Sequence, residues 1–178
     1  MMDARNYAVE VTLKSGASAA VRAIRLDDKS GIVAAFEALE PQSIYTRFFQ
    51  VKKHLSDTDL KRATEVDFEN EVALVATVRQ GQRETIVGSG RFIVYLDPEI
   101  GRSAEIAFVV EEDYQGQGLA RQLLRHLAGI AREQGLKRFT AEVLPGNASM
   151  LAVFARCGFP MTIRRLDDVV QVILRLDE

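Results

Sequence analysis

Apolar and polar residues alternate from Tyr7 to Leu13, pause at Lys14-Ser15-Gly16, and alternate again from Ala19 to Ile24, which predicts a β-hairpin. The period then lengthens. Leu26-Asp27-Asp28 offers a cap, Ile32, Val33, Phe36 and Leu39 recur at helical spacing, and Pro41 stops the helix. Gln42 to Phe49 predicts a second short helix. In HLSDTDLKRATEV, Ser56 as N-cap with Asp59 three residues on predicts a third, opened by a weak variant of the capping box. Val72–Val78 and Thr85–Tyr95 are β-rich runs joined by the polar RQGQRE, a second hairpin, and Ala104–Val110 is a further strand. Leu119, Leu123, Leu127 and Ile130 then share one helical face, with Gly135 placed just past its end. Arg138–Val143 reads as a strand, Ala148–Arg156 as a helix, and Met161–Arg165 with Val169–Leu176 as a closing strand pair. Antiparallel strands come first, then strand–helix–strand–helix–strand. That order predicts an α+β fold, a mixed and mostly antiparallel central sheet flanked by helices, with one parallel crossover in the middle.

Bulk properties narrow the class. The 178 residues predict a single domain over 1–178, with 1–16 as an N-terminal strand or arm. At 47% hydrophobic and 27% charged residues the chain can fill a core. A net charge of −2 gives no general attraction to nucleic acid or to an anionic membrane. The stretch MMDARNYAVEVTLKSG has no apolar targeting region, and no apolar run approaches the roughly 18 residues of a spanning helix. The single cysteine, Cys157, excludes an internal disulfide and points to a reducing cytoplasm. His54 and His126 lie far apart without a ligand pattern, so no metal site is expected.

The chemistry concentrates in VVEEDYQGQGLAR, Val109 to Arg121, where two glycines flank Gln117 at the mouth of a helix. Glycine there costs helix stability, so the position needs an absent side chain. Either the turn demands positive φ, or a ligand approaches the backbone. Strand, loop, glycines and helix together present unpaired amides to an anion. A P-loop would need a lysine after its second glycine, and none follows Gly118. A dinucleotide fingerprint would need a third glycine where Arg121 stands, although Glu142 superficially matches its ribose-binding acid. The EEDYQ spacer and the antiparallel N-terminal half argue further against it.

QGQGLA, Gln115 to Ala120, resembles the Gln/Arg-x-x-Gly-x-Gly/Ala signature of the GNAT superfamily of acetyl-CoA-dependent N-acetyltransferases. NASMLAVFARCGF, Asn147 to Phe159, resembles that superfamily's second stretch, an Asn, a helix, then Gly-Phe before a strand. The likeness extends over roughly residues 17–176. SIYTRFF (Ser43–Phe49) and VDFENEVALVA (Val66–Ala76) are similar to the acetyltransferase domain of bacterial protein-lysine acetyltransferases. The resemblance implies a GNAT-type sheet and transfer of an acetyl group from acetyl-CoA to a primary amine, a protein lysine. A small-molecule amine, or a non-catalytic acyl-CoA-binding regulatory module, stays open beside it, as does a homodimer.

The resemblance also implies roles. Gln115, Gly116, Gln117, Gly118, Leu119 and Ala120 would hold the pyrophosphate of coenzyme A through backbone amides. Val109 and Val110 would pair with the pantetheine arm like an added strand, one of their N–H groups polarising the thioester carbonyl. Arg121 is either a phosphate contact or a solvated surface residue, and Asn147 either a pantetheine or acetyl contact or a helix cap. Glu105, a carboxylate in an apolar strand on the face of Ala107 and Val109, takes the family's place of general base. Its alternative is a sheet-edge Glu paired with an arginine. Phe154 stands where much of the superfamily has an acidic tyrosine, so the leaving thiolate would take its proton from water. Cys157 reads as a packed thiol, Tyr45, Arg47 and Phe48 as the acceptor side, and Glu111-Glu112-Asp113 as a solvent-facing loop that attracts a cationic acceptor.

Overall fold

The computed structural model describes residues 3–39 and 55–177. Its strands are β1 (Ala8–Thr12), β2 (Ser18–Ala23), β3 (Glu71–Gln80), β4 (Arg83–Asp97), β5 (Gly101–Val110), β6 (Arg138–Val143), β7 (Met161–Arg165) and β8 (Val170–Arg175). They form one sheet in the order β1-β2-β3-β4-β5-β6-β8-β7. Every neighbouring pair is antiparallel except β5 and β6. The helices among the described residues are α1 (Lys29–Glu37), α2 (Asp57–Thr64), α3 (Leu119–Glu133) and α4 (Ala148–Ala155). This is the mixed α+β arrangement that the pattern predicts. The helix expected over Gln42–Phe49, with Tyr45, Arg47 and Phe48, lies outside the described residues.

The polar linker expected at RQGQRE is shorter in the fold. Arg79 pairs with Glu84 and Gln80 with Arg83, leaving a two-residue turn. Polar residues continue the ladder there because the hairpin tip is exposed on both faces, so burial no longer dictates alternation. The capping box of α2 forms as expected: Asp59 N–H donates to Ser56 Oγ (3.1 Å) and Ser56 N–H to Asp59 Oδ2 (3.0 Å).

α3 covers one face of the sheet. Its Leu119, Leu123, Leu127 and Ile130 are each at most 1% exposed, against Ala104, Ile106, Phe108 and Val110 of β5, which point the same way. Gly90 makes the contact close. A Cβ there would stand 2.8 Å from Phe108 Cδ1 and 2.9 Å from Leu127 Cδ1, so the helix sits where only a missing side chain admits it. α4 packs on the same side, with the Phe154 and Phe108 rings 6.0 Å apart. α1 lies on the other face, where Gly31 meets Ile86. The Tyr7 hydroxyl and His126 Nδ1, 2.5 Å apart, join the chain entering β1 to the middle of α3.

A buried charge cluster fastens α1 to the sheet. Arg22 of β2 donates through Nη1 to Asp28 Oδ2 (2.9 Å) and through Nη2 to Asp28 Oδ1 (2.8 Å) and Glu84 Oε1 (2.6 Å). Asp28 Oδ2 also accepts from Arg25 N–H (2.7 Å). Burial pushes the Asp28 carboxyl up, but the Arg22 and Arg25 hydrogen bonds outweigh it and hold the group below its usual range. A depressed native value means that this stabilisation is present above roughly pH 4 and is lost as pH falls through that value. Asp28→Asn should lower stability by about 1–3 kcal/mol, since the buried guanidinium loses one of its two carboxylate partners and keeps only Glu84. Urea midpoints at pH 7 and pH 3.5 check both points: the gap between wild type and variant should narrow at the lower pH.

Candidate active site

β5 and β6 begin as a parallel pair and then part. Ser103, Ala104 and Glu105 face Arg138, Phe139 and Thr140, and no pairing follows, although β5 runs on to Val110 and β6 to Val143. On its other edge β5 stays paired with β4 through Val110. Glu111 N–H donates to Val87 O (2.8 Å) and Lys137 N–H to Arg102 O (2.9 Å). Alternation from those two bonds turns the backbone groups of Phe108 and Val110 toward the gap and those of Val109 toward β4. The backbone pairing expected of Val109 therefore falls to Phe108, while the Val109 side chain lines the cleft. Gln115 Nε2 donates to the Val110 carbonyl (2.9 Å), which closes the end of the gap. The Val110 N–H and both Phe108 backbone groups remain to meet a third strand-like partner.

The gap opens into a cleft of about 700 Å³ bounded by the glycine loop, the first turn of α3 and α4. Gly116 (φ +78°) and Gly118 (φ +87°) adopt the left-handed conformation that a β-branched residue resists. Gly118 is the N-cap of α3 and no side chain caps that end, so the first-turn amides of Leu119, Ala120 and Arg121 lack the acceptor that a cap would supply. Gln117 turns elsewhere: its carbonyl accepts from Lys14 N–H (3.1 Å) and its Oε1 from Ser15 N–H (3.0 Å), tying the loop to the first hairpin. Three cations, Lys14, Arg121 and Arg156, line the cleft, and no carboxylate does so among the described residues. Phe108, Leu119, Leu144, Met150 and Val153 supply apolar wall. In a chain of net charge −2 this segregation favours an extended ligand that is anionic at one end and partly apolar along its length.

Asn147 lines the cleft and caps α4, its Oδ1 accepting from Met150 N–H (3.2 Å). The cap role is thus present, and the Nδ2 hydrogens stay available to a ligand. Phe154 is 1% exposed and packs on Phe108, so α4 offers no phenol at that position. Glu105 is exposed on the face opposite α3 and has no ion-pair partner among the described residues. Thr140, its register partner, and Glu142, two residues on, share that face on the other lip of the gap. Cys157 is a half-buried free thiol packed against the core, outside the cleft lining. Sequence reasoning missed Lys14, Phe108, Tyr114 and Arg156. The edge that Phe108 presents depends on the register of β5 with β4, and nothing local to Lys-Ser-Gly places Lys14 beside residue 118.

The sequence matches the acetyltransferase (GNAT) family over residues 38–159. The chain belongs to that family. Its fold overlays the GNAT domain of S. lividans PAT with a TM-score of 0.85 at 35% identity, over 94% of this chain and 96% of that one. An acetyltransferase of Pseudomonas aeruginosa is 28% identical over 93% of this chain and 87% of its own. The acetyltransferase Pat of Mycolicibacterium smegmatis is 32% identical over 66% of this chain, which spans only 34% of that protein. A GNAT acetyltransferase is an acyltransferase that uses acetyl-CoA, and the cleft's chemistry fits that cosubstrate: a diphosphate at one end, amide-bearing pantetheine along the rest. Among the described residues no helix is long and apolar enough to cross a membrane.

Two measurements test the cleft. Acetyl-CoA at a hundredfold excess over its Kd should stabilise the protein by about 2.7 kcal/mol, read as a rise in the thermal midpoint. Gly118→Val should raise the Kd for acetyl-CoA at least about tenfold, because a branched side chain strains the positive φ and shields the amides. Titration calorimetry on a variant checked for folding reads this directly. Unchanged affinity would reduce the two glycines to an ordinary turn.

Proposed function

We propose that the enzyme transfers the acetyl group of acetyl-CoA to the side-chain amine of a protein lysine in the cytoplasm, by direct attack in a ternary complex. The observation that carries the reading is Glu105, a lone exposed carboxylate on an apolar strand, beside the gap in the sheet and on the face away from α3. The likeness to the S. lividans PAT domain along nearly the whole chain supports a protein acceptor.

Acetyl-CoA lies with its pyrophosphate on the amides of Gly116 to Ala120 and Arg121, and its pantetheine against Phe108 and Val110, with Asn147 on the opposite wall. Gln115 and Gln117 serve as struts, the first holding the Val110 carbonyl and the second the hairpin turn. The gap-facing N–H of Phe108 polarises the thioester carbonyl. Lysine is mostly protonated at neutral pH, its pKa being about 10.4, so a base must take up its proton before attack. Glu105 lies three residues from Phe108, roughly 10 Å along the strand, a span suited to relay through one or two waters. The amine nitrogen then bonds to the carbonyl carbon and sheds its second proton to water, the carbon–sulfur bond breaks, and the thiolate leaves. With Phe154 in α4 the thiolate takes its proton from solvent. Glu142 on the facing lip adds negative charge that draws a cationic side chain toward the opening.

Glu105→Gln should lower kcat by about 10²–10⁴-fold while the Kd for acetyl-CoA stays unchanged. The deficit should shrink as pH rises toward the amine's own pKa, where solvent deprotonates the acceptor without help. Initial rates from pH 6 to 10 on a lysine peptide, with acetylation located by mass spectrometry, test this. Equal rates at every pH would remove Glu105 from the chemistry, and transfer to small amines but to no peptide would overturn the acceptor.

A further inference from the structure

The turn of the β1–β2 hairpin reaches the glycine loop from about a hundred residues away in the chain, and it brings a cation. Lys14 and Ser15 anchor there by their backbone N–H groups, both on Gln117, which leaves the Lys14 side chain outside the tie. Its Cγ and Cε lie 3.9 and 3.8 Å from the point where a Cβ of Gly118 would stand. The stem thus runs across the bare face of Gly118, the N-cap of α3, with the ammonium one bond past Cε. Lys14 lines the cleft, is exposed, and has no carboxylate partner among the described residues.

We propose that Lys14 is a cosubstrate-binding residue whose ammonium contacts the pyrophosphate of acetyl-CoA from the side opposite the helix amides. The inference rests on the reading of the cleft as the acetyl-CoA site and adds to it an element that the glycine signature does not contain. A helix N-terminus carries only about half an elementary charge, and a diphosphate carries two. A full cation across from the amides supplies what the backbone lacks, and lysine serves as a point charge able to follow either phosphate. The anchor bonds of Lys14 and Ser15 make the position a property of the backbone, so the charge stands at the loop before ligand arrives. On this reading the first hairpin is a wall of the binding site.

The test is titration calorimetry of wild type, Lys14→Met and Lys14→Arg with acetyl-CoA and with acetyl-dephospho-CoA, which lacks the 3′-phosphate. Lys14→Met should raise the Kd about tenfold or more, by the same factor for both ligands, and Lys14→Arg should recover most of the loss. Lys14 is exposed in a turn, and its thermal midpoint without ligand checks that the fold is kept. Equal affinity of Lys14→Met and wild type for acetyl-CoA overturns the proposal while leaving the cleft assignment intact. A loss seen with acetyl-CoA and absent with the dephospho form also overturns it, by assigning the residue to the 3′-phosphate. Failure of wild type to bind either ligand would sink the cleft reading itself.

Discussion

The site depends on a break in the hydrogen-bond ladder. Three register pairs hold β5 to β6, and beyond Glu105 and Thr140 the two strands diverge while each continues. Backbone groups left unpaired inside a sheet are costly unless something replaces the missing strand. In the proposed function the replacement is the pantetheine arm of acetyl-CoA, and the rest of the architecture holds the break open. β4 fixes one edge of β5 through Val110, α3 and α4 cover the back, and Gln115 occupies the last carbonyl. A cosubstrate with amide groups along its arm, as proposed, would complete the ladder that the chain leaves unfinished.

Charge follows the same division of labour. The buried Arg22–Asp28 pair, with Glu84 reaching it from the exposed hairpin tip, is closed on itself and structural. In the cleft the cations stand without carboxylates, so their compensation has to come from outside. Glu105 and Glu142 lie on the face away from α3, on the two lips of the gap. In the proposed reaction an anionic cosubstrate and a cationic acceptor would thereby be led to opposite sides of one opening, which would keep the two substrates from competing for the same approach.

Most of the fold was legible because its elements repeat simple periods. The face of α3 from Leu119 to Ile130, the alternation of β5 and the capping box at Ser56 each follow from side chains meeting water or core within a few residues. Glu105 and the two glycines were legible for the same reason, as residues that break the local rule. Side-chain alternation names the face of a strand, but the edge to which an amide points depends on the register with its neighbour. The exchange of Val109 for Phe108 in backbone pairing was therefore not readable in advance. Lys14 was invisible for a deeper reason: its meaning comes from a turn and a loop that meet only after the sheet has formed.

Gly90 gives the site a ruler. The helix whose first turn carries the uncapped amides rests on β4 and β5 at a separation set by the absence of one methyl group. A side chain there would press on Leu127 and Phe108 together, wedging α3 away from the sheet and carrying its leading amides with it. The width of the cleft is thus gauged in the core. A substitution in mid-strand would shift Phe108 and α3, two of the cleft's walls, from a position that does not itself line it.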